Sequence, residues 1–350
     1  MSDYFTLKVI KVIPETSDTV TIQLKQPFFK KVKYKAGQFL TILLTIDGKK
    51  VRRSYSMSSA PQVEDYLAIT VKRVAGGLVS NYLNDKVKED DSLEFMEPMG
   101  NFYIEPDKDK QRHITLLGAG SGITPLMSIA KAVLYAEPKS TVSLLYGSRN
   151  EQSIIFKSAL DDLKSKFKER FQVVHSLSQP FNEDWNGFKG RISEAHVINF
   201  INLVNKKPAE NTLYYICGPE GMMREAQNAL KRLRVPQNQI FIESFTPHQE
   251  ETTSQNTEIL DQEVSIIHRG ETHKIFVPKN KTILEIALEH GLDMPYSCQS
   301  GVCTACMAKC RSGKVYMSHN DGLSEADLQK GYVLLCTGHP LTHDVIVEIE

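Results

Sequence analysis

Four of the six cysteines form one pattern near the C-terminal end, with Cys298, Cys303 and Cys306 in a single short stretch and Cys336 alone further on. No other feature constrains the fold so tightly. If the four thiols serve one ligand set, the chain around residue 300 must wrap on itself and a later segment must return to meet it. Small residues fill the intervals: Ser297, Ser300, Gly301, Thr304 and Ala305. The backbone can therefore pass close to a ligand, with NH groups and hydroxyls free to donate to sulfur. Clustering of this kind in 350 residues argues against a disulfide framework and for ligation or redox chemistry in a reducing compartment.

The spacing discriminates between metal centres. A zinc ribbon usually pairs two C-x-x-C units, whereas here the fourth cysteine stands by itself. A four-iron cluster uses C-x-x-C-x-x-C-x-x-x-C; Cys303, Cys306 and Cys310 fit its last three positions, but Ser300 takes the first. The order C-x-x-x-x-C-x-x-C…C is that of plant-type two-iron two-sulfur (2Fe-2S) ferredoxins, with Cys298, Cys303, Cys306 and Cys336 as ligands and Cys310 left as a plain strand residue. Around this loop, 263–267 and 274–277 read as hairpin strands, 282–289 as a helix and 345–349 as a final strand. From about 262 to 350 the chain resembles a β-grasp ferredoxin.

The N-terminal part, 1–108, holds short apolar runs at 5–12, 19–24, 38–45, 51–57 and 66–72, punctuated by Pro14, Gly37, Asp47-Gly48 and Pro61. This is the pattern of a small antiparallel β-barrel. On the fourth run, Arg53 and Tyr55 share a face, where one can clamp a phosphate and the other cover a flat ring. After the fifth run, Gly76-Gly77 leads into a helical stretch, 78–87, whose first NH groups can meet an anion. Taken alone, each cluster fits an exposed strand, or an ordinary turn before a helix, at least as well. Their order raises the odds: Gly37-Gln38-Phe39, Arg53-Ser54-Tyr55-Ser56, Val71-Lys72-Arg73 and Gly77-Leu78-Val79-Ser80 together resemble the FAD-binding domain of the ferredoxin-NADP reductase family. The resemblance implies that Arg53, Ser54, Tyr55 and Ser56 bind the flavin pyrophosphate and stack on the isoalloxazine. It implies that the Gly77-Leu78-Val79-Ser80 element holds the pyrophosphate at the helix start, with Val71 and Lys72 also among the FAD-binding residues.

From 109 to 246 the pattern becomes alternating strands and helices, which argues for a doubly wound parallel sheet with ligands beyond its carboxyl edge. The strand at 113–117 runs into Gly118-Ala-Gly120-Ser-Gly122-Ile-Thr124-Pro125. Glycines there let the backbone approach a pyrophosphate, Thr124 is placed to cap the next helix and Pro125 to open it. The loop matches the GxGxGxTP form of the same family's nicotinamide domain, in which Thr124 would also reach the flavin. After the second strand, Ser148 and Arg149 suit a 2′-phosphate, so NADPH is favoured over NADH; an exposed loop arginine is the alternative. Cys217-Gly218-Pro219 resembles the family's nicotinamide-side motif, and Glu243-Ser-Phe245 its acidic and aromatic terminus near the flavin. On that resemblance the catalytic residues are Tyr55, Cys217 and Glu243.

Residues 247–258 contain no apolar side chain and read as a flexible linker, holding the 259–350 segment within about 20 Å of its anchor. Total charge is balanced, 42 basic against 42 acidic, and no basic surface points to nucleic acid. Residues 259–350 carry 8 Lys+Arg against 12 Asp+Glu, an acidic bias small enough to arise by chance. No apolar run is long enough for a spanning helix and the first residues lack a signal core, so a cytoplasmic protein is expected with no membrane partner.

Flavin, nicotinamide and iron-sulfur modules in this order are similar to the reductase components of bacterial oxygenases. The implied activity is NAD(P)H oxidation coupled through FAD and a 2Fe-2S cluster to a separate terminal oxygenase, since the chain shows no oxygen-activating ligand set of its own. A reductase of a ferredoxin or hybrid-cluster protein, and a non-catalytic carrier that has lost flavin, are the alternatives.

Overall fold

The computed structural model describes residues 4–29, 31–204, 211–245, 259 and 261–349. Linker residues 247–258 lie outside the described residues. The chain forms two compact units, Met1–Glu243 and Ser244–Glu350.

The first unit opens with strands β1 (Tyr4–Thr16), β2 (Thr19–Lys25), β3 (Phe39–Ile46), β4 (Lys49–Ser56) and β5 (Tyr66–Lys72), then helix α1 (Leu78–Asp85) and strand β6 (Ser92–Met96). They make one antiparallel sheet in the order β4-β3-β6-β1-β2-β5. Alternate side chains of β1 to β6, among them Leu7, Val9, Ile22, Leu40, Ile42, Leu67, Ile69 and Phe95, turn inward to a common apolar core. That one-sided burial curls the sheet until its edges touch through a bridge between Met57 and Ile69, and the barrel closes along this seam.

The same unit continues through β7 (His113–Ala119), α2 (Ile123–Ala136), β8 (Thr141–Ser148), α3 (Lys157–Phe167), β9 (Phe171–Leu177), β10 (Phe188–Lys189), α4 (Glu194–Val204), β11 (Thr212–Cys217), α5 (Glu220–Arg232) and β12 (Ile240–Glu243). All six strands pair in parallel in the order β10-β9-β8-β7-β11-β12. β7 and β8 are buried along nearly their whole length, as a sheet covered on both faces requires. The order reverses between β7 and β11, which opens a crevice at their carboxyl ends.

Barrel and parallel sheet share a core: Ala36, Ala60, Phe102 and Ile104 pack with α2 and its neighbours. Polar pins reinforce the seam. Ser128 Oγ donates to the Ser59 carbonyl at 2.6 Å, Tyr215 Oη donates to the Tyr103 carbonyl at 3.1 Å, and Lys131 pairs with Glu64. Glu137, the one charged side chain among the described residues with no exposure, accepts from Arg112 and from Ser140 Oγ at 2.7 Å, a buried ion pair with most of its lone pairs answered.

The second unit holds β13 (Gln262–His268), β14 (Glu271–Val277), α6 (Ile283–Glu289), β15 (Met307–Ser312), β16 (Val315–Met317), α7 (Glu325–Gln329), β17 (Tyr332–Leu334), β18 (Gly338–Pro340) and β19 (Ile346–Ile349). Its main sheet runs β14-β13-β19-β15-β17, with β13 and β19 parallel and the other pairs antiparallel. α6, capped at its start by the Thr282–Glu285 capping box, buries Ile283, Leu284, Ile286 and Ala287 against the sheet. Among the described residues no helix is long and apolar enough to cross a membrane.

Candidate functional site

On β4 the pairing with β3 sets Arg53 opposite Ile42 and Tyr55 opposite Leu40, so both side chains leave the same face of the strand. Arg53 is exposed, and its Nη1 donates to the Arg52 carbonyl at 2.7 Å. Tyr55 is half-buried against the barrel core; burial pushes its hydroxyl up to about 12, so it stays neutral. Ser54 meets Thr41 across the strands at 3.1 Å. Beyond the edge strand β5, Gly77 begins α1 without any side-chain cap, so the first NH groups of that helix are open to an anion. Ser80 Oγ accepts from the Val74 NH at 3.1 Å and so fixes the turn that presents them. Val71 and Val79 are core side chains, leaving only their backbone for a ligand, Lys72 pairs with Asp18 at 3.4 Å, and Leu78 is exposed. An exposed guanidinium, an aromatic ring and an uncapped helix start are donor types that fit FAD.

On the parallel sheet, Gly118 at the end of β7 is paired with Cys217 at the end of β11, astride the crevice. Gly122 is packed backbone to backbone: an added Cβ would stand 2.0 Å from the Cys217 carbonyl oxygen. Gly120, with φ of +55°, has open space instead, which leaves room for a nucleotide. Thr124 differs from the sequence expectation. A short 3-10 turn, Gly120–Gly122, runs directly into α2 from Ile123, so Thr124 lies inside the helix and is no cap. Its buried hydroxyl donates back to the Ser121 carbonyl at 2.9 Å, and Pro125 stands at the third helical position, where its missing NH is still unneeded.

Ser148 ends β8 with its hydroxyl buried and without a hydrogen-bond partner among the described residues, and Arg149 follows, exposed. Gly218 and Pro219 close the other side, where Pro219 sets the start of α5 by accepting from the NH groups of Met222 and Met223.

Cys217 and Glu243 are register partners on β11 and β12, and Ser56 Oγ donates to Glu243 Oε2 at 3.1 Å. Three residues expected at the redox centre thus meet where the barrel joins the parallel sheet. Part of Glu243 remains open to solvent, but its carboxyl is packed round by protein; that desolvation pushes it up to about 8, against a small opposing effect of Ser56. At neutral pH it carries a proton. Burial, then the neighbouring Glu243, pushes the fully buried Cys217 thiol up, which leaves a small neutral group and no nucleophile.

In the second unit, Cys303, Cys306 and Cys336 are buried and Cys298 is half-buried. The thiols interact as neighbouring pairs: Cys298 with Cys303 and Cys336, and Cys336 also with Cys306. Among the described residues no three His, Cys, Asp or Glu side chains are grouped to hold one metal ion. The Ser300 NH donates to Cys298 Sγ at 3.4 Å, the kind of bond that tunes a cluster. Gly301, at φ of +78°, lies against the His319 backbone, where a Cβ would come within 2.6 Å of its carbonyl oxygen. The 319–322 turn that supports the cysteine loop is a contribution missed from the sequence, although its Asn320-Asp321-Gly322 is a turn signal. Cys310 lies on β15, donates to the Ser312 carbonyl at 3.2 Å and stands outside the four.

Comparisons agree with this geometry. Residues 5–104 match the oxidoreductase FAD-binding domain family, 116–228 the oxidoreductase NAD-binding domain family, and 266–341 the 2Fe-2S iron-sulfur cluster binding domain family. The chain is 36% identical over 355 residues to a subunit of 1,2-phenylacetyl-CoA epoxidase from Escherichia coli (strain K12), covering 100% of this chain and 99% of that one. It is 34% identical to the ferredoxin reductase component of 3-ketosteroid-9-alpha-monooxygenase from Mycolicibacterium smegmatis, covering 97% and 96%. Phthalate dioxygenase reductase shares the fold, with a TM-score of 0.61 at 22% identity over 99% of this chain and 98% of that one. The chain therefore belongs to the family of NAD(P)H oxidoreductases that join FAD-binding, NAD-binding and 2Fe-2S domains and serve as reductase components of oxygenases.

Proposed function

We propose that this reductase draws electrons from NADPH and delivers them to the oxygenase component of a system of the phenylacetyl-CoA epoxidase type, in the cytoplasm. The module boundaries we assign are 1–108 for flavin, 109–246 for nicotinamide and 259–350 for the cluster, joined by 247–258. FAD, when bound, accepts a hydride and releases electrons singly, which matches a two-electron donor to a one-electron centre. The residues around it bind, orient and hold a proton. Arg53 clamps phosphate, Tyr55 covers the ring, and Ser54, Ser56, Lys72 and the backbone of Val71 and 77–80 complete the cradle. Gly118, Gly120, Gly122 and Thr124 hold the nucleotide loop, Ser148 and Arg149 take the 2′-phosphate, and Cys217, Gly218 and Pro219 border the nicotinamide. Glu243, protonated at neutral pH and held by Ser56, keeps a proton at the junction. Cys298, Cys303, Cys306 and Cys336 hold the cluster.

The observation that carries this reading is the meeting of Ser56, Cys217 and Glu243, drawn from the barrel and the parallel sheet, at the mouth of the crevice. The 36% identity to a phenylacetyl-CoA epoxidase component over the whole chain supports the choice of partner. The test is reduction of two acceptors by NADPH. Cys303→Ser should abolish cytochrome c reduction and leave ferricyanide reduction intact; loss of both would mean that the cluster serves only the fold. Reconstitution with an epoxidase oxygenase component and phenylacetyl-CoA checks the partner, and NADPH consumption without product would reject it.

A further inference from the structure

In the first unit a cavity of 430 Å³, lined by none of the residues assigned above to flavin or nucleotide, lies between the barrel strands β1, β2 and β5 and the helices α2 and α3. This is the size range of small-molecule sites. Its aromatic walls are Tyr66, Tyr135 and Phe156, and its charged groups are Glu15, Glu64, Asp162, Lys131 and Lys166.

Most of the positive charge is already engaged. Lys131 is half-buried, paired with Glu64 across the seam and attracted also by Glu15, and desolvation, the largest influence on its ammonium, depresses its proton affinity despite those partners. Lys166 rests over the Tyr135 ring at 4.3 Å and donates to Tyr135 Oη at 3.1 Å. The negative charge is in excess: Glu15 accepts the Thr21 hydroxyl through Oε1 at 2.7 Å and shares the field of Lys131 with Glu64, while Asp162 has no ion pair among the described residues, although Lys166 follows it by one helical turn. The cavity therefore presents three carboxylates against two ammonium groups, beside aromatic faces, one of which already accommodates an ammonium.

We infer that this cavity is a binding site for a small organic ammonium compound, its cation taken by Glu15 and Asp162 and its apolar body by Tyr66, Tyr135 and Phe156. Lys166 is the internal competitor for that position. A ligand here would bridge barrel and parallel sheet without touching the nucleotide crevice.

Three probes of equal shape and different head group make the test, namely phenethylamine, phenethyl alcohol and 3-phenylpropanoate, titrated into the FAD- and cluster-loaded protein by calorimetry and followed by thermal shift. Phenethylamine should bind saturably and raise the melting temperature, with the alcohol at least about tenfold weaker and the anion silent, since a charge-assisted contact is worth about that factor or more. The double variant Glu15→Gln with Asp162→Asn, which keeps an acceptor for Thr21, should lose about tenfold or more in amine affinity. Lys166→Met should bind the amine more tightly, because it frees the Tyr135 face and removes a like charge. Absence of saturable amine binding to the wild-type protein overturns the inference, as does equal or tighter binding of the anion. Unchanged amine affinity in both variants places the amine elsewhere and overturns it too.

Discussion

Replacing Gly122 by alanine probes how the nucleotide loop is held. Its φ of −61° and ψ of −11° are ordinary helical values that alanine adopts freely, so the substitution adds no backbone strain. The added methyl carbon would stand 2.0 Å from the Cys217 carbonyl oxygen, 2.4 Å from its carbon and 2.7 Å from the Gly218 nitrogen. All three are main-chain atoms of the opposite strand end, and none can swing aside. Even to reach the 3.0 Å below which real Cβ contacts are essentially absent, either the loop or the end of β11 must retreat by about 1 Å from the 2.0 Å contact. Overpacking of this kind costs about 1–3 kcal/mol. In a unit of this size that lowers the melting temperature by about 2–4 °C per kcal/mol. Activity should suffer more, because the same retreat moves Cys217 and Gly218, and a displacement of about 1 Å can cost roughly a hundredfold in rate. The assay is NADPH-ferricyanide turnover with FAD content measured in the same samples. Wild-type turnover together with an unchanged melting temperature would refute the packing argument.

Arg149→Ala should raise the KM for NADPH by about tenfold and leave that for NADH nearly unchanged, as expected if the guanidinium meets only the 2′-phosphate; an equal effect on both would deny that role. Glu243 binds its proton more tightly folded, with a pKa raised from 4.5 to about 8, so its own contribution to stability is full below pH 4.5 and declines as pH rises towards 8. The slope from this group is at most about 1.4 kcal/mol per pH unit; Glu243→Gln should flatten it in urea titrations run between pH 5 and 8. Arg112→Met removes the guanidinium from the fully buried Glu137 and should destabilise the first unit by about 3–5 kcal/mol, read as a fall in the unfolding midpoint. A loss below about 1 kcal/mol would mean that Ser140 and the Asp107 NH suffice to satisfy that carboxylate.

Much of the architecture is legible in the residues because apolar periodicity and burial coincide. The runs at 5–12, 19–24, 38–45 and 66–72 alternate or cluster as their strands do, and the βα rhythm from 113 to 243 needs no tertiary information. β6 is not legible: Ser92-Leu-Glu-Phe-Met96 follows three acidic residues and becomes a strand because β1 and β3 flank it. β15 is legible only at Cys310, read as a strand residue; Lys309, Arg311 and Ser312 around it show no regular alternation, and the strand is made by its neighbours β17 and β19. Thr124 looks like a helix cap because a threonine before a proline commonly is one; the 3-10 turn through Gly122 extends the helix past it. The 2Fe-2S domain is legible, since the spacing of the cysteines alone restricts the metal such a loop would take. The bond from Ser56 to Glu243 leaves no trace in local sequence, because the two residues are 187 positions apart.

That separation also sets a schedule for making the protein. β12 is the last strand of its unit and brings Glu243 with it. At synthesis rates of about 5–20 residues per second, Ser56 emerges roughly ten to forty seconds before its partner carboxyl exists. The barrel strands can pair during that interval, but the enclosed proton site cannot form until the whole unit has left the ribosome. A prematurely ended chain would thus carry the barrel surface without the junction, and closure of one hydrogen bond marks a completed reductase unit.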